Sequence, residues 1–261
     1  LIVEVVKFIQ VLILAISLGC IYGLLGIGLA LVVSASRIIN FSHGEFVMIG
    51  GVMTAVLYWW VRVPLLVSTF AAIITVAIIS VITERLLIRP LWKRGATPLT
   101  FVIMLIAVGT FLDNAVMLST HRATLSLPPF FTDSVSYSFF GISIASQSVW
   151  IILATVAIAI GLTIFFDKTL LGKCMKACAV NRNAAILVGI NADRMTTISF
   201  ALAGIVGAIA GILITPLAAI SFTVSLGFLL RGFCATVIGG MGNIRGALVG
   251  GLVIGFLDAF G

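Results

Sequence analysis

Stretches free of Asp, Glu, Lys and Arg dominate this chain: 8 to 36, 46 to 61, 63 to 83, 95 to 112, 134 to 166, 195 to 230, 232 to 244 and 246 to 257. A helix needs roughly 20 apolar residues to cross the hydrocarbon core, so most of these runs are long enough to span a bilayer. Only 9% of the 261 residues are charged and the mean hydropathy is +1.32, too little charge to cover a soluble surface. The pattern specifies an all-α polytopic membrane protein. Disorder, a collagen-like repeat and a disulfide scaffold are excluded, because aromatics reach 10%, the 26 glycines have no triplet period and the four cysteines are scattered. The net charge of +7 comes from Lys and Arg at the ends of the apolar runs, which argues against nucleic acid.

Proline and polar stretches divide the runs further. Thr215-Pro216 interrupts 195 to 230, and the polar segment Ser134 to Ser148 delays the start of the fifth helix to about Gln147. Six full spans are predicted: 8 to 34, 43 to 60, 65 to 84, 98 to 118, 147 to 167 and 195 to 215, followed by two short apolar runs. Arg85, Arg89, Lys93 and Arg94 crowd one connection; Lys168, Lys173, Lys176, Arg182 and Arg194 crowd another. Both are expected on the cytoplasmic side, with the 119 to 146 connection and the uncharged 216 to 230 segment facing outward and the N-terminal end outside. Tyr58, Trp59, Trp60 and Trp150 fall at the expected outer interface, and Trp92 at the inner one. The chain begins at Leu1 and stops at Gly261 just after an apolar run, so further residues are expected at both ends, and no signal peptide can be read. The whole chain is read as one transmembrane domain, 1 to 261.

Small-residue pairs at four-residue spacing recur at Gly19/Gly23, Gly207/Gly211, Gly246/Gly250 and Gly251/Gly255. They let helix backbones approach closely and are read as packing within the subunit. Two segments break the apolar pattern: Asn40-Phe41-Ser42-His43-Gly44-Glu45, and Gly239 to Gly246 around Asn243. Aligning Asn40 with Asn243 gives a gapped similarity, and an internal repeat with interrupted or re-entrant helices is the expectation, as in transporters built from two halves. Asn40, Ser42, His43, Glu45 and Asn243 are the candidates for the translocation pathway, because ionisable and polar groups at membrane depth are expensive. Ser42 with Glu45 also fits a capping box, each side chain bonding the other residue's amide. His43 has no ligand partner, since His121 lies in the outer connection, and the cysteines contain no Cys-x-x-Cys pair, so no metal is expected. Cys174 and Cys178 are read as a small apolar pair, and Asp113-Asn114 as interfacial solvation with a pathway role the lesser reading.

No phosphate-binding Gly-x-x-x-x-Gly-Lys-Ser/Thr loop exists, since Gly172-Lys173 has Asp167 where the first glycine belongs, and there is no His-Glu-x-x-His. The chain is therefore not an enzyme by these motifs, and active transport draws on an ion gradient or another polypeptide. The 171 to 194 loop is unusual for a solvated connection, because Ala184, Ala185, Leu187 and Val188 form a compact apolar turn between polar ends. Such a turn suits either a groove in a soluble partner or the lipid interface.

These residues together carry a resemblance. Gly19-Cys-Ile-Tyr-Gly23, Ile38-Ile-Asn40-Phe-Ser-His43-Gly44-Glu45-Phe-Val-Met-Ile-Gly50, the loop with Lys176-Ala177, Ala185 and Gly189-Ile-Asn191, and Ile238-Gly-Gly-Met-Gly-Asn243-Ile-Arg-Gly246 occur in order from about residue 8 to the end. The chain resembles the permease subunits of branched-chain amino acid type ATP-binding-cassette importers; Ser42 stands where members commonly have Ala. The resemblance implies a second homologous permease subunit, two cytoplasmic ATP-binding subunits that hold ATP and Mg, an extracytoplasmic substrate-binding protein, a bacterial cytoplasmic membrane and a further C-terminal helix. No cofactor on this chain is implied. It also implies that 176 to 191 is the coupling helix, with Lys176, Ala177, Ala185, Gly189 and Asn191 as coupling candidates. The family imports urea, short amides and small carboxylates besides branched-chain amino acids, and no residue here decides among them. A self-sufficient secondary transporter or channel is the alternative; only Glu45 clearly offers it a midmembrane carboxylate, with Asp258 near the end of the chain.

Overall fold

The computed structural model describes residues 2–130, 136–139 and 142–261. Asp133 and the start of the polar segment at Ser134 lie outside the described residues. Eleven helices make up the described membrane part: α1 (Ile2–Ser36), α2 (His43–Trp59), α3 (Leu65–Thr83), α4 (Arg89–Lys93), α5 (Pro98–Ser119), α6 (Ser146–Lys168), α7 (Leu170–Val180), α8 (Arg182–Leu187), α9 (Ala192–Ile214), α10 (Ser225–Gly239) and α11 (Ile244–Phe260). A π turn, Glu84–Ile88, joins α3 to α4 without a break. Two short strands pair antiparallel in the connection before α6, β1 (Ser136–Phe139) with β2 (Ile142–Ala145).

Each expected span has its helix. The boundaries agree within a few residues except at the N-terminal end of α1, because the charges, prolines and caps that stop a helix are local signals. α2 has 17 residues, about 26 Å at 1.5 Å per residue, the shortest of the expected spans and at the lower limit for a crossing. Five helices or continuous helical segments are long and apolar enough to span (Val6–Ser36, Leu65–Lys93, Pro98–Ser119, Ser146–Lys168 and Ala192–Ile214), and α10 with α11, bent by 119°, makes a sixth if counted as one. The outward segment after α9 is also shorter than expected, since Ser225 to Leu230 already belong to α10.

α1 and α9 form the centre, with α2 and α11 packed on them, while α3, α5 and α6 lie outside. The outer helices show what faces lipid: Phe70, Ile74, Ile78 and Ile82 form an exposed stripe at four-residue spacing on α3, as Val156, Ile160 and Ile164 do on α6. In lipid no hydrophobic force drives helices together, so close backbone approach must hold the centre. The glycine pairs supply it within the subunit. A Cβ at Gly255 would collide with Gly19 Cα, one at Gly251 with Gly23 Cα, and one at Gly250 with the Ala235 carbonyl across the α10–α11 bend. Gly211 gives the same access on α9, where a Cβ would meet the Val47 carbonyl of α2.

The two ends of the bundle differ as the charge pattern requires. One end gathers Arg37, Arg89, Lys176, Arg182 and Arg245 with their partners. At the other, Trp59 Nε1 donates to the Ser126 carbonyl (2.7 Å), and Leu125 and Ile220 exchange backbone bonds (2.9 and 2.7 Å). Trp92, expected at the inner interface, stacks under the Arg182 guanidinium at 4.9 Å.

Candidate functional site

The chain leaves α1 at Arg37 and re-enters helix at His43, deep in the bundle. Asn40, Ser42, His43 and Glu45 are all buried there. Asn40 Oδ1 accepts from the Ser42 amide (3.2 Å) and hydroxyl (2.9 Å), and the Asn40 carbonyl accepts from the His43 amide (3.2 Å). This turn overturns the capping box: the Ser42 hydroxyl is committed to Asn40 and caps nothing. The Glu45 carboxylate instead lies against Gly109 of α5, where a Cβ would stand 2.8 Å from Oε1. His43 fills the opposite slot, its ring against Gly28 of α1 and Gly207 of α9 and edge-on to Phe46, centroids 6.3 Å apart. Neither ring nitrogen has a hydrogen-bond partner, and neither has Glu45 Oε2.

Two further groups join Glu45. Asp113, one turn beyond Gly109, accepts from the Ser225 hydroxyl (3.1 Å), while its Oδ1 is buried without a partner. Gly44 packs on the Ser225 carbonyl, so the starts of α2 and α10 touch. Asp113 is half-buried, with Oδ1 enclosed, whereas its neighbour Asn114 is exposed and bonds the Thr110 carbonyl (2.7 Å). Ser225 and Gly109 were missed; the signal was a glycine four residues before an aspartate inside an otherwise apolar span.

Asn243 is not part of this cluster. It sits at the basic end, where its side chain accepts from the Gly246 amide (3.1 Å) and caps α11. Asn40 stands two residues before the residue that precedes α2, whereas Asn243 directly precedes α11, so the alignment behind the proposed repeat has no local counterpart. A second polar group, of which the sequence offered only Asp258, joins α1, α10 and α11. Tyr22 donates to Asp258 (2.5 Å), Arg231 reaches the same carboxylate at 3.5 Å and its guanidinium lies 5.5 Å from the Tyr22 ring centre.

At the basic end the 171 to 194 loop is two helices with asparagine hinges. Thr169 caps α7 through Gly172 N (3.1 Å), Asn181 caps α8 through Ala184 N (3.0 Å), and Asn191 caps α9 through Arg194 N (3.0 Å). Lys176 pairs with Asp167 (2.7 Å), and Ala177 is half-buried. Ala185 is buried and packs into the apolar core. Exposed instead are Ile186, Leu187 and Val188, and Gly189 closes the turn at φ +85°, a conformation that favours glycine. Burial pushes the Cys178 thiol up, against the nearby Arg182 charge, so it is an inert packing thiol.

The tip is braced. Arg182 donates to Asp193 (2.5 Å) and Thr196 (3.2 Å) and covers Trp92. Next to it the buried Glu84 of the π turn pairs with Arg89 (3.4 Å) and accepts from Thr197 (2.7 Å), which in turn accepts from Arg89 (2.7 Å). Arg182→Gln is expected to remove charge-assisted bonds worth about 1.5–3 kcal/mol and to speed proteolysis within 181–190 several-fold. Unchanged cleavage would mean that the brace does not hold α8.

Among the described residues no three His, Cys, Asp or Glu side chains come together as a metal site. The family described as branched-chain amino acid transport system permease component matches residues 11–261. The chain is 32% identical to a high-affinity branched-chain amino acid transport system permease protein, BraD, of Pseudomonas aeruginosa, over 99% of this chain and 87% of the relative. It is 31% identical to the protein of the same description, LivH, of Escherichia coli, over 97% and 85%. A ribose import permease protein, RbsC, of Escherichia coli is 26% identical over 90% and 72%. No solved structure matches the chain.

Proposed function

Because the chain belongs to the family of branched-chain amino acid transport system permease components, we propose that it is the translocation subunit of an ATP-binding-cassette importer for a small amino acid, branched-chain ones first. It works with a second homologous permease, two cytoplasmic subunits that bind ATP and Mg, and an extracytoplasmic binding protein that delivers the solute, in the bacterial cytoplasmic membrane. The observation that carries this reading is the braced helix α8, which presents three consecutive apolar side chains at the basic end of a chain without a nucleotide-binding motif.

In this reading Asn40, Ser42, His43 and Glu45, with Asp113 and Ser225, form the polar step of the pathway, where α2 begins inside the bundle. Asn243 serves it from the cytoplasmic mouth by holding the α10–α11 bend. Lys176, Ala177, Ala185, Gly189 and Asn191 shape the coupling segment: Ala185 seats α8 on the bundle, Asn191 and Gly189 fix its exit, and Lys176 ties α7 to α6.

Affinity purification in mild detergent is expected to bring down a second permease and two ATP-binding subunits. Their ATPase is expected to respond to a loaded binding protein and so identify the solute. A chain that purifies alone and moves solute in liposomes with an ion gradient would overturn the importer reading. Glu45→Gln keeps the shape of the side chain while removing its charge and exchanging one acceptor oxygen for a donor, so the assembly is expected to form normally with uptake lowered at least about ten-fold. Wild-type uptake by that variant would remove Glu45 from the pathway.

A further inference from the structure

A cavity of about 770 Å³ lies at the basic end, between the end of α1, the end of α6, α7 and the α10–α11 bend. Three cationic side chains line it, Arg37, Lys176 and Arg245, against one carboxylate, Asp167. Arg37 is held there by an unusual backbone: it has φ +56°, and its Nε and Nη2 bond the Ala179 and Val180 carbonyls at the end of α7 (2.5 and 3.3 Å), leaving Nη1 free. Asp167 takes Lys176 on one oxygen (2.7 Å) and Arg245 on the other (2.5 Å). The cavity therefore keeps two cations in excess of its anion, and the positive end of α11 adds to them. Its remaining walls are mostly apolar, Val33, Phe166, Met241 and Ile244 among them, with Ser34, Thr163 and Asn243 as the polar exceptions.

We propose that this cavity binds a phosphate-bearing anion, with Arg37, Lys176 and Arg245 as its donors and Asp167 as its built-in competitor. A cationic rim over an apolar floor at the cytoplasmic end of membrane helices matches the headgroup and glycerol ester of an anionic phospholipid. Inorganic phosphate or a nucleotide would offer the same charge without the apolar part. Asp167 sets the affinity, since a bound phosphate takes over the two cations that the carboxylate otherwise neutralises. The site does not depend on what the chain transports.

The purified chain, exchanged through detergent after incubation with phosphatidylglycerol or phosphatidylcholine, reports retained lipid by mass spectrometry. Wild type is expected to keep phosphatidylglycerol at least five-fold over phosphatidylcholine. Arg245→Gln and Arg37→Gln are expected to erase that preference, and Asp167→Asn is expected to increase it. If millimolar inorganic phosphate or ATP displaces the lipid, the source is a soluble phosphate; if neither does, it is the lipid. Equal retention of the two lipids by wild type, with no phosphate or ATP binding in equilibrium dialysis, overturns the proposal. So does a fall in the preference, rather than a rise, in Asp167→Asn, provided the variant melts with wild type.

Discussion

Gly251→Leu is expected to prevent the chain from folding, at a loss of about 3 kcal/mol or more, the upper range for overpacking a well-filled interior. A Cβ at this position would overlap the Gly23 amide and Cα on α1, and backbone cannot swing aside as a flexible side chain can. The neighbouring turn offers no relief, because Gly255 meets Gly19 in the same way. α11 would have to leave α1, its most extensive partner, and with it would go the packing of α10. Gly161→Leu is the control: nothing lies within 4 Å of a Cβ there, so its side chain enters open space on α6. Thermal melting in detergent, followed by monodispersity, compares the two. A Gly251→Leu protein that melts with wild type would show that α1 and α11 are not held by backbone contact.

The glycine pairs were legible because small-residue spacing reports directly on one helix face, and a packed face is all that it asserts. The ends of the long helices were legible from charges and prolines, whereas the caps at Asn181, Asn191 and Asn243, each bonding an amide three residues on, were not read. What failed was pairing between distant segments. Arg231 served in the sequence only to end an apolar run, yet it lies inside α10, and its partner Asp258 and the Tyr22 that shares that carboxylate come from α11 and α1. The capping box failed because Asn40, just upstream, competes for the Ser42 hydroxyl. Which of the small and apolar residues of α8 face the bundle was not legible, because six residues are too few to fix a face by periodicity. Contact with the bundle decides it, through Arg182 on Asp193 and Trp92. Asp113 shows the same limit, since only the start of α10 at Ser225 turns an isolated aspartate into part of the Glu45 cluster.

If the chain is the translocation subunit of an importer as proposed, Leu187→Asp is expected to lower uptake at least about ten-fold while leaving this chain folded. Leu187 is 88% exposed, so the substitution removes no internal packing, and an exposed change of this kind stays within about 0.5 kcal/mol. Val188, 76% exposed, and Ile186 extend the same apolar tip, which no described part of the chain covers. If the tip enters a groove on an ATP-binding subunit, a carboxylate there must be desolvated without a partner, and losing one central contact costs about 2 kcal/mol or more. Transport and solute-stimulated hydrolysis then fall together, because the brace through Arg182, Asp193 and Trp92 no longer receives the partner's motion. Leu187→Met, similar in volume and apolar, is expected to keep uptake near wild type. A tip that only rests on lipid predicts otherwise: Leu187→Asp would leave hydrolysis coupled to uptake and merely loosen α8 from the bilayer. Wild-type uptake and stimulation in Leu187→Asp, with the ATP-binding subunits still attached, would remove α8 from the coupling path.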